Sequence, residues 1–327
     1  MNAESAPLVS IVVASYNHSR FLDERIQSLL VQTYKNFEII VIDDNSTDDS
    51  SLIISKFLGD SRIRLVQNRE NVGWINVSNQ GFKESKGKFL LFANCDDSCS
   101  PTLVAELVNC FQNNKEIGLA FSRSWLIDEN GVKLSDDYAG REVKFQETCN
   151  RSLIINQKLM KRFLMRSCVI PNLSAALISK EAFARSDGFL SDYKVCADWD
   201  FYFRLIENYP VGYIAQPLNN FRQHRNTIRS ATGELKLNQE ILNLLLSESK
   251  LQKSSFRVRN LRRYQAMNLV SEWIFRKQLM SFHGLVGLFK SIFLLDAKSL
   301  YFLPLSLNTR VYEVISARLK RQRGEMV

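Results

Sequence analysis

The chain has 327 residues, 45% hydrophobic and 24% charged, which is the make-up of a globular protein with a sizeable core and room for one large α/β domain plus an appendage, or two domains. The net charge of +9 is uneven: residues 236–327 hold 16 of the 43 Lys and Arg but 6 of the 34 Asp and Glu, leaving residues 1–235 close to neutral. That balance argues against nucleic-acid binding by the main domain and assigns an anion-seeking surface to the tail.

In chain order, "LVSIVVASYN" (8–17) is a β-branched run ending in polar turn residues, a strand buried on both faces. "SRFLDERIQSLLVQTY" follows with Phe21, Leu22, Ile26, Leu29 and Leu30 at helical spacing. "FEIIVIDDNSTDDS" gives a second strand over 37–42 that ends in paired acids, then a helix start capped by Ser46 or Thr47, with Asp48 and Asp49 in its first turn. "RIRLVQN" (62–68) is a third strand, "VGWINVSNQGFKES" (72–85) a helix and "KFLLFAN" the fourth strand. Strand and helix alternating at this spacing mean a parallel sheet covered by helices, whose ligands sit beyond the carboxyl ends of the strands. Asn17, Asp43–Asp44 and Asp96–Asp97 all fall there.

A helix follows Pro101, then "IGLAFSRSWLID" and a polar stretch to about 150. "NLSAALISKEAFARSDGFL" (172–190) suggests a strand and a short helix, and "DYKVCADWDFYFRLIEN" puts Asp198 and Asp200 at the start of an amphipathic helix with Phe201, Leu205 and Ile206 inward. "VGYIAQPLNNFRQHRNTIRS" (211–230) is one strand or two, ending near Arg222, His224 and Arg225, and residues 236–327 read as mostly helix. Six cysteines without a CxxC pair, behind an N-terminus with neither a basic region nor an apolar core, predict no signal peptide and reduced thiols in a cytosolic protein.

Adjacent carboxylates at a strand end can hold Mg²⁺ or Mn²⁺, hard ions that often keep substrate phosphates in their shell, so Asp96 and Asp97 are candidates for a cation bridging to a diphosphate. Taken alone the pair reads equally as a helix cap, with Asp97 capping the helix near 101. Asp44 has the same structural alternative, or accepts a hydrogen bond from a nucleobase or ribose. Cys95 and Cys99 flank the acids at CxxxC spacing with no histidine nearby, which speaks for small buried residues rather than zinc ligands.

In combination, "VSIVVASYN", "SLLVQTYKNFEIIVIDDNSTDDS", "NRENVGW", "GKFLLFANCDDSCSP" and "ADWDFYFRL" resemble glycosyltransferase family 2 over roughly residues 7–230. The resemblance implies a GT-A fold, a Rossmann-like, mostly parallel sheet flanked by helices, in a catalytic domain over 1–235 with a mainly helical basic extension over 236–327. It implies an inverting transfer of sugar from a nucleotide-diphosphate donor, a UDP-sugar first, to a glycan or lipid-linked acceptor, in the setting of bacterial surface polysaccharide synthesis. It further implies that Ser15, Asn17, Asp44, Asn94 and Asp96 line the nucleotide, that Asp96, Asp97 and His224 hold Mn²⁺ or Mg²⁺, and that Asp198 is the catalytic base. Arg222 beside His224 would approach the diphosphate.

The chain departs from the family pattern at Asn94, where an acid is usual, at Ala197, where an acid often precedes the base, and at Ser78, where many relatives carry Arg. Arg69 or Arg225 would then neutralise phosphate in place of position 78. Asp200 is the rival of Asp198 for the role of base, with a helix-cap part for whichever is not; Trp199 is a candidate for stacking on the acceptor sugar. Two other activities share features of this pattern. A nucleotidyltransferase would want a Gly-rich phosphate loop after the first strand, and "ASYNHSRF" offers none; a non-catalytic nucleotide-sugar or glycan-binding protein is consistent with Asn94 and Ala197. In the tail, residues 273–307 are apolar but interrupted by Lys290, Asp296 and Lys298, which excludes a spanning helix. Two alternatives stand for 273–327: an interfacial segment on the inner face of the plasma membrane, with "ARLKRQRG" on anionic lipid, or a helical subdomain packed on the catalytic domain.

Overall fold

Among the described residues, ten strands form one mixed sheet. Strands β1 (Val9–Ser15), β2 (Phe37–Asp43), β3 (Ile63–Gln67) and β4 (Phe89–Asn94) run parallel, and the helices α1 (Ser19–Leu30), α2 (Ser50–Ser55) and α3 (Trp74–Glu84) connect them. The spatial order β3-β2-β1-β4 continues through β9 (Ala176–Ser179), β6 (Leu119–Ile127), β10 (Val211–Arg222) and β5 (Ser98–Cys99). β9 is antiparallel to both β4 and β6, and β10 is parallel to β6, so β10 points the same way as β4. β7 (Lys133–Asp136) extends β6, and β8 (Leu153–Ile155) pairs with the start of β10.

The computed structural model describes residues 6–224 except 142, 171 and 191, then 232, 234–250 and scattered residues between 260 and 307. The chain divides into two units, Met1–Arg225 and Asn226–Val327. In the second, a helix occupies Glu234–Lys250, with Leu242, Leu244 and Leu245 buried, and Ser306 Oγ donates to the Met267 carbonyl at 3.2 Å. Most of 273–327 lies outside the described residues. Among those described, no helix is long and apolar enough to cross a membrane.

The first unit's core follows the expected pattern. Ile11, Val13, Ile39, Val41 and Leu91 form one core cluster with Leu22, Ile26 and Leu29 of α1, all fully enclosed. Runs such as Phe89–Ala93 are buried on both faces because helices cover both sides. α4 (Leu103–Asn113) adds Leu103, Val104, Leu107, Val108 and Phe111 at helical spacing.

Two local expectations are corrected. The second helix starts at Ser50, not after a Ser46 or Thr47 cap, because Ser46 Oγ instead bonds Asp43. Asp48 precedes that helix and accepts from the Ser50 amide at 3.0 Å and the Ser19 amide at 2.9 Å, tying the openings of α1 and α2 together. All six cysteines are free, as expected. Burial pushes the Cys95 thiol well up and raises that of Cys99, which keeps both as neutral thiols.

Candidate functional site

The parallel strands deliver their carboxyl ends to one rim, and each end is shaped by a turn that the sequence encodes. After β1, Asn17 takes a left-handed backbone (φ 53°), which asparagine tolerates better than most residues. Its Oδ1 accepts from the Thr47 amide at 2.8 Å and its amide donates to Ser46 Oγ at 3.1 Å, so the turns after β1 and β2 lock together. Ser15 is buried with its Oγ unpartnered.

Asp44, one residue beyond β2, is buried and its carboxylate is largely engaged. Oδ1 accepts from Asn68 Nδ2 at 2.7 Å and the Val72 amide at 3.1 Å, and Oδ2 from the Gly73 amide at 2.9 Å. Gly73 (φ 84°) allows that approach and starts α3. Asp44 therefore holds the entry of α3 in place.

The adjacent acids after β4 part company. In the turn after β4, Asp96 faces the rim while Asp97 is enclosed. Asp96 Oδ2 lies 2.9 Å from His224 Nε2, and its side chain keeps 20% of its surface exposed. Burial alone would raise the Asp96 carboxyl, yet the His224 hydrogen bond and the charges of His18 and His224 hold it below the usual range. Asp97 Oδ1 accepts from the Arg222 amide at 2.9 Å and Oδ2 from Asn172 Nδ2 at 3.0 Å. Burial, then the neighbouring Asp96 charge, pushes the Asp97 carboxyl up to about 7. Asp97, expected as a cation ligand, turns both its oxygens inward onto β10 and Asn172. Nor does it cap the helix after Pro101, which begins at Leu103.

Arg222, expected beside the diphosphate, has its guanidinium engaged within the chain. It is buried beside the Phe21 ring, and its guanidinium donates to the carbonyls of Asp96 (2.7 Å), Asp128 (3.1 Å) and Glu129 (3.2 Å) and to Glu24 Oε2 (2.5 Å). It braces β4, the exit of β6 and α1 against each other. Arg69 is exposed next to Asn68 of the Asp44 clamp, and Arg225 lies outside the described residues.

Asp198 opens α8 (Ala197–Leu205), half-buried, with Oδ1 accepting from the Trp199 amide at 2.7 Å. Its rival Asp200 pairs with Arg204 at 2.8 Å, and Arg204 Nη2 donates to the Gly188 carbonyl at 2.8 Å, which is a structural task. Trp199, expected as an acceptor contact, is buried, donates to the Leu164 carbonyl at 3.1 Å and stacks on Phe203. The segment leading into α8 is pinned to the start of α3, where Trp74 Nε1 donates to the Lys194 carbonyl at 3.0 Å. Asp44 holds the Val72 and Gly73 amides just before Trp74, and Lys194 stands four residues before Asp198.

His18 went unnoticed in the sequence. Ligand atoms of His18, Asp96 and His224 all lie within 4.8 Å of one another. The three residues are separated by 78 and 128 positions, so no spacing signal links them; the only hint was a histidine following the rim residue Asn17. Asn94, whose amide donates to Ser174 Oγ at 2.9 Å, stands beside this group at the end of β4.

The family model described as glycosyl transferase family 2 matches residues 10–186. An uncharacterized glycosyltransferase of Haemophilus influenzae is 30% identical over 238 residues, 69% of each chain. The Escherichia coli UDP-Glc:alpha-D-GlcNAc-diphosphoundecaprenol beta-1,3-glucosyltransferase WfaP is 35% identical over 119 residues, 36% of this chain and 47% of that one. Among solved structures, S. aureus TarS 1–349 in complex with UDP-GlcNAc superposes with a TM-score of 0.70 at 16% identity, covering 97% of this chain and 92% of that one, a likeness of fold.

Proposed function

This chain belongs to glycosyl transferase family 2, and from that premise we propose that it transfers a sugar from a nucleotide-diphosphate donor to a glycan or lipid-linked acceptor with inversion at the anomeric carbon. A UDP-sugar is the favoured donor, in keeping with the UDP-GlcNAc bound by TarS, and a lipid-linked acceptor with the substrate named for WfaP. The work belongs to surface polysaccharide assembly on the cytoplasmic side of the membrane, with 1–235 as the catalytic domain and the basic tail, 236–327, reaching the lipid surface through 273–327.

What supports this reading is that the Asp44 clamp and the Asp96–His224 pair follow the carboxyl ends of β2 and β4, on either side of β1, and that Lys194, ahead of Asp198, is bonded to Trp74 beside that clamp. Ser15, Asn17, Asp44 and Asn94 bound the nucleotide. A carboxylate offers about four lone-pair sites; three on Asp44 are used within the chain, leaving one for a base or ribose donor. Asp96 and His224 offer an oxygen and an imidazole to a divalent cation, Mn²⁺ or Mg²⁺, and neutralising the phosphates falls to Arg69 or Arg225. The bound ion would supply Lewis-acid stabilisation of the leaving diphosphate. Asp198 takes the proton from the acceptor hydroxyl as it attacks the face opposite the nucleotide, and no covalent sugar on the protein is needed.

The test is a screen of UDP-, GDP- and dTDP-sugars, with and without Mn²⁺, against lipid-linked and glycan acceptors. Turnover is expected with one donor class and is lost by about 10²–10⁴-fold in Asp198→Ala while donor affinity is kept, as removal of a general base demands. An Asp198→Ala protein that turns over like the wild type, or a wild type that binds donor and never transfers, refutes the assignment and favours a binding protein.

A further inference from the structure

We propose that His18 is a third ligand of the rim cation, so that the site consists of two imidazoles and one carboxylate and selects a first-row transition ion over Mg²⁺. The inference rests on the reading that a cation binds at Asp96 and His224, and adds to it both a residue and a preference.

The proximity comes first. Ligand atoms of the three residues lie within 4.8 Å of one another, whereas ligands sharing one ion at about 2.0–2.2 Å stand no more than about 4.4 Å apart. A closure of a few tenths of an ångström suffices.

His18 is also prepared for the task. Its Nδ1 lies 2.7 Å from the Tyr16 carbonyl oxygen. A carbonyl only accepts, so Nδ1 carries a proton, and in the neutral ring Nε2 then keeps a lone pair. Anchoring one ring nitrogen on a backbone carbonyl is how metal-bound imidazoles are held. The preceding Asn17 is fixed in its left-handed turn by Thr47, so the ring does not depend on a free loop for its position. The His18 and His224 rings meet edge to face with centroids 5.8 Å apart, and Phe21, 5.2 Å from His224, walls one side.

The acids needed for an oxygen-only site are missing. Asn94 stands where an acid would add charge, and Asp97 gives its oxygens to Arg222 and Asn172. One carboxylate is left. Mg²⁺ prefers an all-oxygen shell and gives up water reluctantly, whereas imidazole suits the transition ions.

The full chain is titrated with Mn²⁺ alone and again with UDP, free Mn²⁺ being counted by electron paramagnetic resonance, with Mg²⁺ as competitor. Pulsed measurements on the bound ion count coordinated imidazole nitrogens. Wild type should show two nitrogens and retain Mn²⁺ against a tenfold excess (~10) of Mg²⁺. His18→Ala should show one nitrogen and bind Mn²⁺ at least about tenfold more weakly. His18→Asp places a favoured N-cap residue before α1, so it should fold, and its oxygen donor should narrow the Mn²⁺ over Mg²⁺ preference. Unchanged Mn²⁺ affinity and nitrogen count in both variants overturns the role of His18, while loss of binding in Asp96→Ala keeps the underlying cation site. Mn²⁺ binding that survives Asp96→Ala as well, or its absence in wild type with and without UDP, overturns both.

Discussion

Arg222 offers a sharp separation of bracing from ligand binding. Replacing it by Met keeps much of the side-chain volume and removes four hydrogen bonds from a cationic donor, three to carbonyls and one to Glu24. Bonds to a charged group are worth about 1.5–3 kcal/mol each when both ends are cut off from water. Here Glu129 is exposed, Asp96 and Asp128 are half-buried, and the Glu24 side chain keeps 49% of its surface in solvent, so water takes over part of every acceptor. The expected loss is about 3 kcal/mol, at the lower end of the about 3–5 kcal/mol that follows breaking a buried pair from one side. Urea denaturation of the full chain should show a lower midpoint with an unchanged slope. Arg222→Lys should recover little, since an ammonium cannot span the fork that reaches the ends of β4 and β6 and the helix α1 together. Glu24→Gln should cost less than about 1 kcal/mol, as half-exposed partners do. Were Arg222 a phosphate ligand, Arg222→Met would leave stability within about 1 kcal/mol of wild type and weaken donor binding instead. That result would refute the bracing account.

Asp44→Asn keeps one acceptor oxygen but turns an amide NH₂ toward donors already present, leaving at least one buried donor unmet, at about 1–3 kcal/mol. Reduced stability together with weaker UDP binding by calorimetry is expected, and unchanged stability would show that the clamp on α3 is unimportant. Gly212→Ala places a methyl 2.4 Å from Cys110 Sγ and 3.1 Å from Ile117 Cδ1, an overpacking of about 1–3 kcal/mol at the start of β10, away from the rim. Cys110→Ala should relieve it, so the double variant is more stable than the sum of the singles predicts, with unaltered catalysis; strict additivity would refute the contact.

The sheet was legible wherever a strand is buried on both faces, because continuous β-branched runs bounded by Asn, Asp and Gly have few other uses. β1, β2, β3 and β4 agree with expectation to within two residues at either end. The three-residue β8, two-residue β5 and four-residue β7 were not visible, since strands that short owe their existence to partners elsewhere in the chain: β5 exists because Asn219 and Asn220 pair with Cys99 and Ser98. β10 hid its length behind Pro217, where the register against β6 shifts to absorb a residue without an amide hydrogen.

At the site, the sequence says which residues stand at the rim but not which way neighbouring side chains turn. Asp96 and Asp97 look interchangeable in a string, yet one faces solvent and the other is buried. The difference is made by Asn172 and the Arg222 amide, 75 and 125 residues downstream, which together meet the inner carboxylate and could not meet both. Arg222 shows the same rule with opposite charge: an arginine beside a functional histidine suggests an anion ligand, and only the carbonyls of Asp128 and Glu129 show that its donors are spent within the chain. The inner acid and the arginine are joined through one residue's backbone, since the amide that meets Asp97 belongs to Arg222, whose Nε meets the Asp96 carbonyl. The buried pair therefore fixes the backbone from the Asp96 carbonyl into Asp97, and the outer carboxylate can be held toward His224 without a bond of its own to the protein core.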